Sequence, residues 1–214
     1  LVIDGNEIYD SEPATSEALT LNGNVDGFVI SDNYVHDVDN IGIDCIGGET
    51  DIQPDETKVC RNGVIRGNRV ARARSSYGGG FAAGIYVDGG RDVVIENNAV
   101  TECDVGMEIG AENAGLVTSG IVVRNNVLHA NDKAGLGFGG YASYTGRVRD
   151  CVFTGNTLYK NDTLGAGFGE IWIQYAEDNV LASNLVCATG QNKLVVSEYG
   201  NVNTALDYNL WWVD

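Results

Sequence analysis

The chain has 214 residues, with 30 acidic against 13 basic side chains, a net charge of -17 and 43% hydrophobic residues. The acid surplus excludes a nucleic-acid backbone or an anionic membrane surface as the main partner, because basic patches bind both. The apolar fraction supports a buried core, and no apolar run approaches the roughly 18–20 residues that cross a bilayer.

The first ten residues, LVIDGNEIYD, read as strand and turn. With no initiator Met and no signal peptide, the chain reads as a mature product or an excised segment. The motif VIDGNEI of this opening then returns along the chain as VISDNYV, VIRGNRV, VIENNAV, VVRNNVL, VFTGNTL, VLASNLV and ALDYNLW. Alignment places Asn6, Asn33, Asn68, Asn98, Asn126, Asn156, Asn184 and Asn209 in one column, at intervals of 27, 35, 30, 28, 30, 28 and 25 residues. The positions three before and two after each Asn are apolar throughout, from Ile3 and Ile8 to Leu206 and Trp211.

A second pattern follows most of these motifs: GIDCIGG at 42–48, GIYVDGG at 84–90, GMEIGAE at 106–112, GLGFGGY at 135–141 and EIWIQYA at 170–176. Apolar residues alternate with variable ones, the period of a strand with one buried face. The inward set is Ile43/Cys45, Ile85/Val87, Met107/Ile109, Leu136/Phe138 and Ile171/Ile173.

Two or three short strands per repeat, with no amphipathic helix between them, predict an all-β parallel β-helix of seven to eight coils over residues 1–214. Successive turns stack about 4.8 Å apart. The column Asn is expected at a corner, where left-handed geometry costs Asn little and stacked amides bond along the axis. The 29 Gly mark other corners, and 2 Pro leave the rung-to-rung ladders their donors. A β-sandwich or propeller fits less well, since hairpins would show two-residue turns of NG or DG type.

The V-x-I/V-x-x-N-x-V rungs resemble the right-handed parallel β-helix superfamily, which includes pectate lyases, alginate lyases, polygalacturonases and mannuronan C5-epimerases. The resemblance covers nearly the whole chain and implies a secreted or cell-surface protein acting on a polysaccharide. It is specific for fold and weak for activity, since many chemistries share the scaffold.

Reading the outward positions of the second pattern gives one column of Asp44, Tyr86, Glu108, Gly137 and Trp172, and a second of Ile46, Asp88, Gly110, Gly139 and Gln174. Asp44, Tyr86, Asp88 and Glu108 are the catalytic candidates. Carboxyl pairs perform glycoside hydrolysis, and a phenol or a base beside a neutralised uronate performs elimination. Glycines supply a flat floor, and Trp172, Gln174 and Tyr175 a stacking platform for sugar rings. Arg72 and Arg74 are expected to bind substrate or assist Tyr86, together with Lys58 and Arg61. The acidic run 37–44 resembles the calcium cluster of some β-helix pectate lyases, which makes Asp37, Asp39 and Asp44 candidate Ca²⁺ ligands. The rung where those lyases carry a catalytic Lys has Tyr86 instead.

Five cysteines show no metal-site spacing. Cys45 and Cys60 are a candidate disulfide, with buried thiols the alternative. His36 and His129 stand three residues after a column Asn and read as surface residues. The alternative function is a non-catalytic carbohydrate-binding or adhesive solenoid segment. The apolar end ALDYNLWWVD would then meet flanking domains or a second copy end to end.

Overall fold

The computed structural model describes residues 1–188, 190 and 192–213. Alternating apolar residues fold into short strands in all eight repeats, and no helix forms among the described residues. The strand before each column Asn enters a first sheet, in the order Val2–Asp4, Asp26–Ser31, Arg61–Arg66, Arg91–Glu96, Val122–Arg124, Val152–Thr154, Val180–Ala182 and Ala205–Asp207. The strand after it enters a second sheet, running from Glu7–Ser11 through Tyr34–Asp39 and Arg69–Arg74 to Leu210–Val213. The second sequence pattern forms a third sheet, from Leu19–Asn22 through Ile43–Ile46, Ala83–Asp88, Val105–Gly110, Ala134–Gly139 and Ile171–Gln174 to Val195–Ser197. Neighbouring strands within these sheets pair in parallel, so the molecule is a solenoid of about eight turns.

The register stacks like residues. Ile43, Ile85, Met107, Leu136 and Ile171 form one inward row, and Cys45, Val87, Ile109, Phe138 and Ile173 the next. All ten are buried in a single apolar core. Burial of that kind contributes roughly 1.5–3 kcal/mol per large side chain and drives the stacking.

The asparagine column forms an unbroken ladder from Asn6 to Asn209. At each step the Oδ1 of one Asn accepts the backbone N–H and the side-chain Nδ2–H of the preceding Asn, as in Asn68 to Asn98 at 2.9 and 3.0 Å. The Nδ2 of the interior members also donates to the carbonyl of the preceding first-sheet strand, as Asn126 does to Ile95 at 2.9 Å.

One expectation is corrected here. The left-handed residue at the corner is the one before the column Asn: Gly5, Asp32, Gly67, Asn97, Asn125, Gly155, Ser183 and Tyr208 all have φ between 52° and 67°. The preceding residue makes the turn, which leaves the Asn side chain directed inward to bond its neighbours. A second ladder, Asn131 to Asn161, ends on Glu170, whose two carboxylate oxygens accept the N–H and Nδ2–H of Asn161 at 2.8 and 2.6 Å.

All five cysteines are buried free thiols. Cys45 and Cys60 hydrogen-bond to each other rather than forming a disulfide. That bond, with burial, pushes the Cys45 thiol well above its ordinary value. His129 is exposed as expected, whereas His36 is half-buried, stacked on Tyr34 with ring centroids 4.0 Å apart.

Candidate functional site

The outward face of the third sheet carries the first column in the predicted register and the second from Asp88 onward, whereas Ile46 bridges Gly89 rather than Asp88. Asp44 lies opposite Tyr86, Tyr86 opposite Glu108, Glu108 opposite Gly137, and Gly137 opposite Trp172. Asp88, Gly110, Gly139 and Gln174 follow one another in the second column. Above this face opens a groove of about 550 Å³. Its acidic part has Glu17, Glu108 and Glu112, and Tyr86 and Gln174 also line it. Its aromatic part has Tyr77, Phe81, Tyr141 and Trp172.

Strand alternation turns these side chains outward, but loops cover part of the row. Asp44, Tyr86 and Asp88 are only 2%, 4% and 5% exposed, while Glu108 is half-buried and Glu112 exposed. Tyr86 donates to Glu112 Oε1 at 3.3 Å, and Asp88 Oδ1 accepts the Glu112 backbone N–H at 2.8 Å. Glu17 and Glu112 carried no role in the sequence reading. Glu112 closes the GMEIGAE pattern just past the strand end, and Glu17 lies in a segment without periodicity. Neither position offers a signal that would place it over the third sheet.

Burial among like charges sets the protonation of the row. Burial, reinforced by Glu112, raises Asp88 to about 7. Burial, then Glu112 and Asp88, raises Glu108 to about 8. Asp44 is pushed well above the usual carboxylate range by burial and by Asp88, and Glu112 is raised by burial against the lowering effect of the Tyr86 hydroxyl. Tyr86 is raised as well, by burial and the surrounding acids. A phenol acting as a base needs the opposite shift.

The glycine floor has three separate causes. A Cβ on Gly110 would lie 2.5 Å from the Tyr86 hydroxyl, so this glycine makes room for the phenol. Gly139 has φ +126° and its Cβ would strike the Gln174 carbonyl, so its backbone demands glycine. Gly137 alone is open, with ordinary contacts at 3.7 Å to Trp172 and 4.0 Å to Glu108. Trp172 packs on Phe168 and Phe81 with ring centroids 4.3 and 6.4 Å away, and its indole N–H donates to Glu198 at 2.8 Å.

Other candidates lie elsewhere. Arg72 forms a two-pronged bond to Asp37 on the second sheet, and Arg74 pairs with Asp132 at 3.1 Å, so neither reaches the groove. Arg61 pairs with Asp26 and Lys58 with Asp55. Tyr175 sits past the strand end against Tyr199 and Arg147 and does not line the groove. The calcium set is not assembled. Asp37 is held by Arg72 and His36, and Asp39 accepts two bonds from Ser76, both on the second sheet and apart from Asp44. Among the described residues no group of three or more His, Cys, Asp or Glu side chains is placed to hold a metal ion.

The family model "Right handed beta helix region" matches residues 3–168 and 64–207. The chain belongs to the right-handed β-helix family. A relative, the Bacillus subtilis protein YwoF, described as uncharacterized, is 33% identical over 98% of this chain and 46% of its own length. Among solved β-helix structures, the Dettilon tailspike protein superposes with a TM-score of 0.63 at 17% identity, covering 99% of this chain and 47% of that one. A mutant tailspike protein of E. coli bacteriophage HK620, in complex with pentasaccharide, gives 0.58 at 13% identity over 99% and 45%. XylC with xylose gives 0.52 at 15% identity over 94% and 36%. The chain thus spans about half or less of the length of these proteins.

Proposed function

We propose that the groove over the third sheet binds a polysaccharide and cleaves it by acid–base glycoside hydrolysis, at the cell surface or outside the cell. The observation that carries this reading is a half-buried Glu108, raised to about 8, standing one rung from an open Gly137 and two from the Trp172 platform. At neutral pH Glu108 is protonated and serves as the general acid toward a glycosidic oxygen. Glu112, raised by burial but with the Tyr86 hydroxyl bond favouring its charged form, serves as the base for water. Trp172, Phe81 and Tyr141 offer apolar faces for sugar rings. Asp44 and Asp88 lie beneath the groove surface, and Asp88 positions Glu112 by accepting its backbone N–H at 2.8 Å.

Hydrolysis is favoured over elimination because Tyr86 is shifted away from basicity and the arginines expected to help it are engaged on other faces. Two solved relatives in fold are described with a bound pentasaccharide and with xylose, which agrees with a carbohydrate ligand. The test is reducing-end release from a panel of polysaccharides by wild type and Glu108→Gln. Release that Glu108→Gln abolishes, with glycan binding retained, supports the reading. A wild type that binds without turnover leaves the groove as a binding platform, the adhesive solenoid reading. A folded wild type that binds no member of the panel overturns both.

A further inference from the structure

One crossing from the second sheet to the third is longer than the coil needs. Residues 40–42 and 102–104 make that crossing in the coils on either side, whereas residues 75–82, SSYGGGFA, fill it in the coil between them. The extra residues form a closed loop. Asp104 is buried, and its Oδ2 accepts the N–H of Ser75 at 2.8 Å and that of Ala82 at 3.0 Å, so one carboxylate holds both ends. Asp39 fixes Ser76 beside the first end, accepting its N–H at 2.8 Å and its hydroxyl at 2.7 Å. Surface loops whose ends meet in this way are compact units and are frequently functional.

Between those anchors the tip has a different character. Gly78, Gly79 and Gly80 all have left-handed backbones, with φ of 60°, 83° and 72°. A Cβ on Gly78 would meet nothing within 4 Å, so this part of the tip does not pack on the coil. Tyr77 and Phe81 flank the glycines, are exposed, and line the groove. Phe81 stands at the aromatic platform, its ring centroid 5.8 Å from that of Phe168 and 6.4 Å from that of Trp172. Among the described residues, the one hydrogen bond joining residues 77–81 to a residue outside the loop comes from Lys133, whose ammonium donates to the Gly79 carbonyl. The same ammonium lies 3.6 Å from the Phe81 ring centroid, where a ring face attracts a cation. Lys133 is itself fixed to the coil, since its backbone N–H donates to the Asp104 carbonyl at 2.8 Å.

We propose that residues 75–82 are a lid on the groove, hinged where Asp104 holds both ends and latched by Lys133, so that release of the latch swings Tyr77 and Phe81 away from Trp172. The inference rests on the groove reading above and names the regulation of that site. Hinge and latch differ in kind. Two backbone N–H groups share a buried carboxylate at the hinge, whereas the tip is held by one lysine side chain. The tip therefore opens while the ends stay in place, and three consecutive glycines absorb the change in backbone angles. Opening exposes the Trp172 face to an entering sugar ring. Closure then brings the Phe81 and Tyr77 rings back against the sugar.

The experiment needs no ligand. A Trp211→Phe/Trp212→Phe background leaves Trp172 as the only tryptophan. Its fluorescence is quenched with acrylamide in that background and after Lys133→Met, which keeps an apolar stem and removes the ammonium. Hydrogen exchange by NMR follows the Ser75 and Ala82 amides in both proteins, and circular dichroism confirms the fold. The expected result is a quenching constant raised about twofold or more by Lys133→Met, with the Ser75 and Ala82 amides as protected as before. Unchanged quenching overturns the latch and leaves the groove reading standing. Raised quenching with both amides deprotected overturns the hinge, because the whole loop has then come away. Asp104→Ala is the converse variant, expected to deprotect both amides, and retained protection overturns the hinge as well. If the expected result is obtained but no member of the polysaccharide panel binds, the lid stands and the groove reading falls.

Discussion

Asp88→Asn tests the electrostatics of the groove through stability rather than activity. Asp88 is 5% exposed and raised to about 7 from 3.8, chiefly by burial. Its folded-state value lies above the unfolded one, so between pH 4 and 7 the native state binds the extra proton. Stability then falls as pH rises through that window and levels off above it. A shift of about three units corresponds to about 4 kcal/mol at pH above both values, of which about 2 kcal/mol is lost between pH 5 and 7. Asparagine keeps an Oδ1 to accept the Glu112 N–H at 2.8 Å but cannot ionise. The variant is therefore expected to match wild type below about pH 4, to exceed it by about 2 kcal/mol at pH 5 and by up to about 4 kcal/mol at pH 8. Urea unfolding followed by tryptophan fluorescence at pH 5, 6, 7 and 8 measures the difference. Parallel wild-type and variant profiles would refute the claim that this carboxyl is buried at a cost.

Three further outcomes follow from the same geometry. Asn126→Ala orphans the Asn98 N–H and removes one bond each from Asn98 Nδ2, the Ile95 carbonyl and Asn156 Oδ1, so it should cost about 3 kcal/mol or more. Asn6→Ala at the exposed end should cost about 1 kcal/mol or less by the same unfolding assay. Gly110→Ala forces the Tyr86 hydroxyl aside and should cost about 1–3 kcal/mol, whereas Gly137→Ala, in open space, should change thermal stability by less than about 0.5 kcal/mol. Trp172→Ala should weaken glycan affinity by about tenfold in calorimetry, while Arg72→Ala, whose partner Asp37 lies on the second sheet, should leave it unchanged.

The sequence alone carried the coil. Eight Asn motifs with apolar neighbours at fixed offsets encode which residues stack, and the observed register follows those columns, because a solenoid pairs each repeat with its sequence neighbour. The order Asp44, Tyr86, Glu108, Gly137, Trp172 along the third sheet was legible for the same reason: strand alternation dictates sides. Burial, and the loops that supply it, came only with the tertiary structure. Loop lengths vary between repeats and obey no period, so nothing in the chain announced that Glu17 and Glu112 would cross the third sheet, or that Arg72 and Arg74 would be taken up by Asp37 and Asp132. The same covering loops turn Asp44 and Asp88 from a solvated face into a protonated layer. Period two and a rung spacing are local properties of the backbone, whereas a carboxyl's charge state depends on everything packed against it.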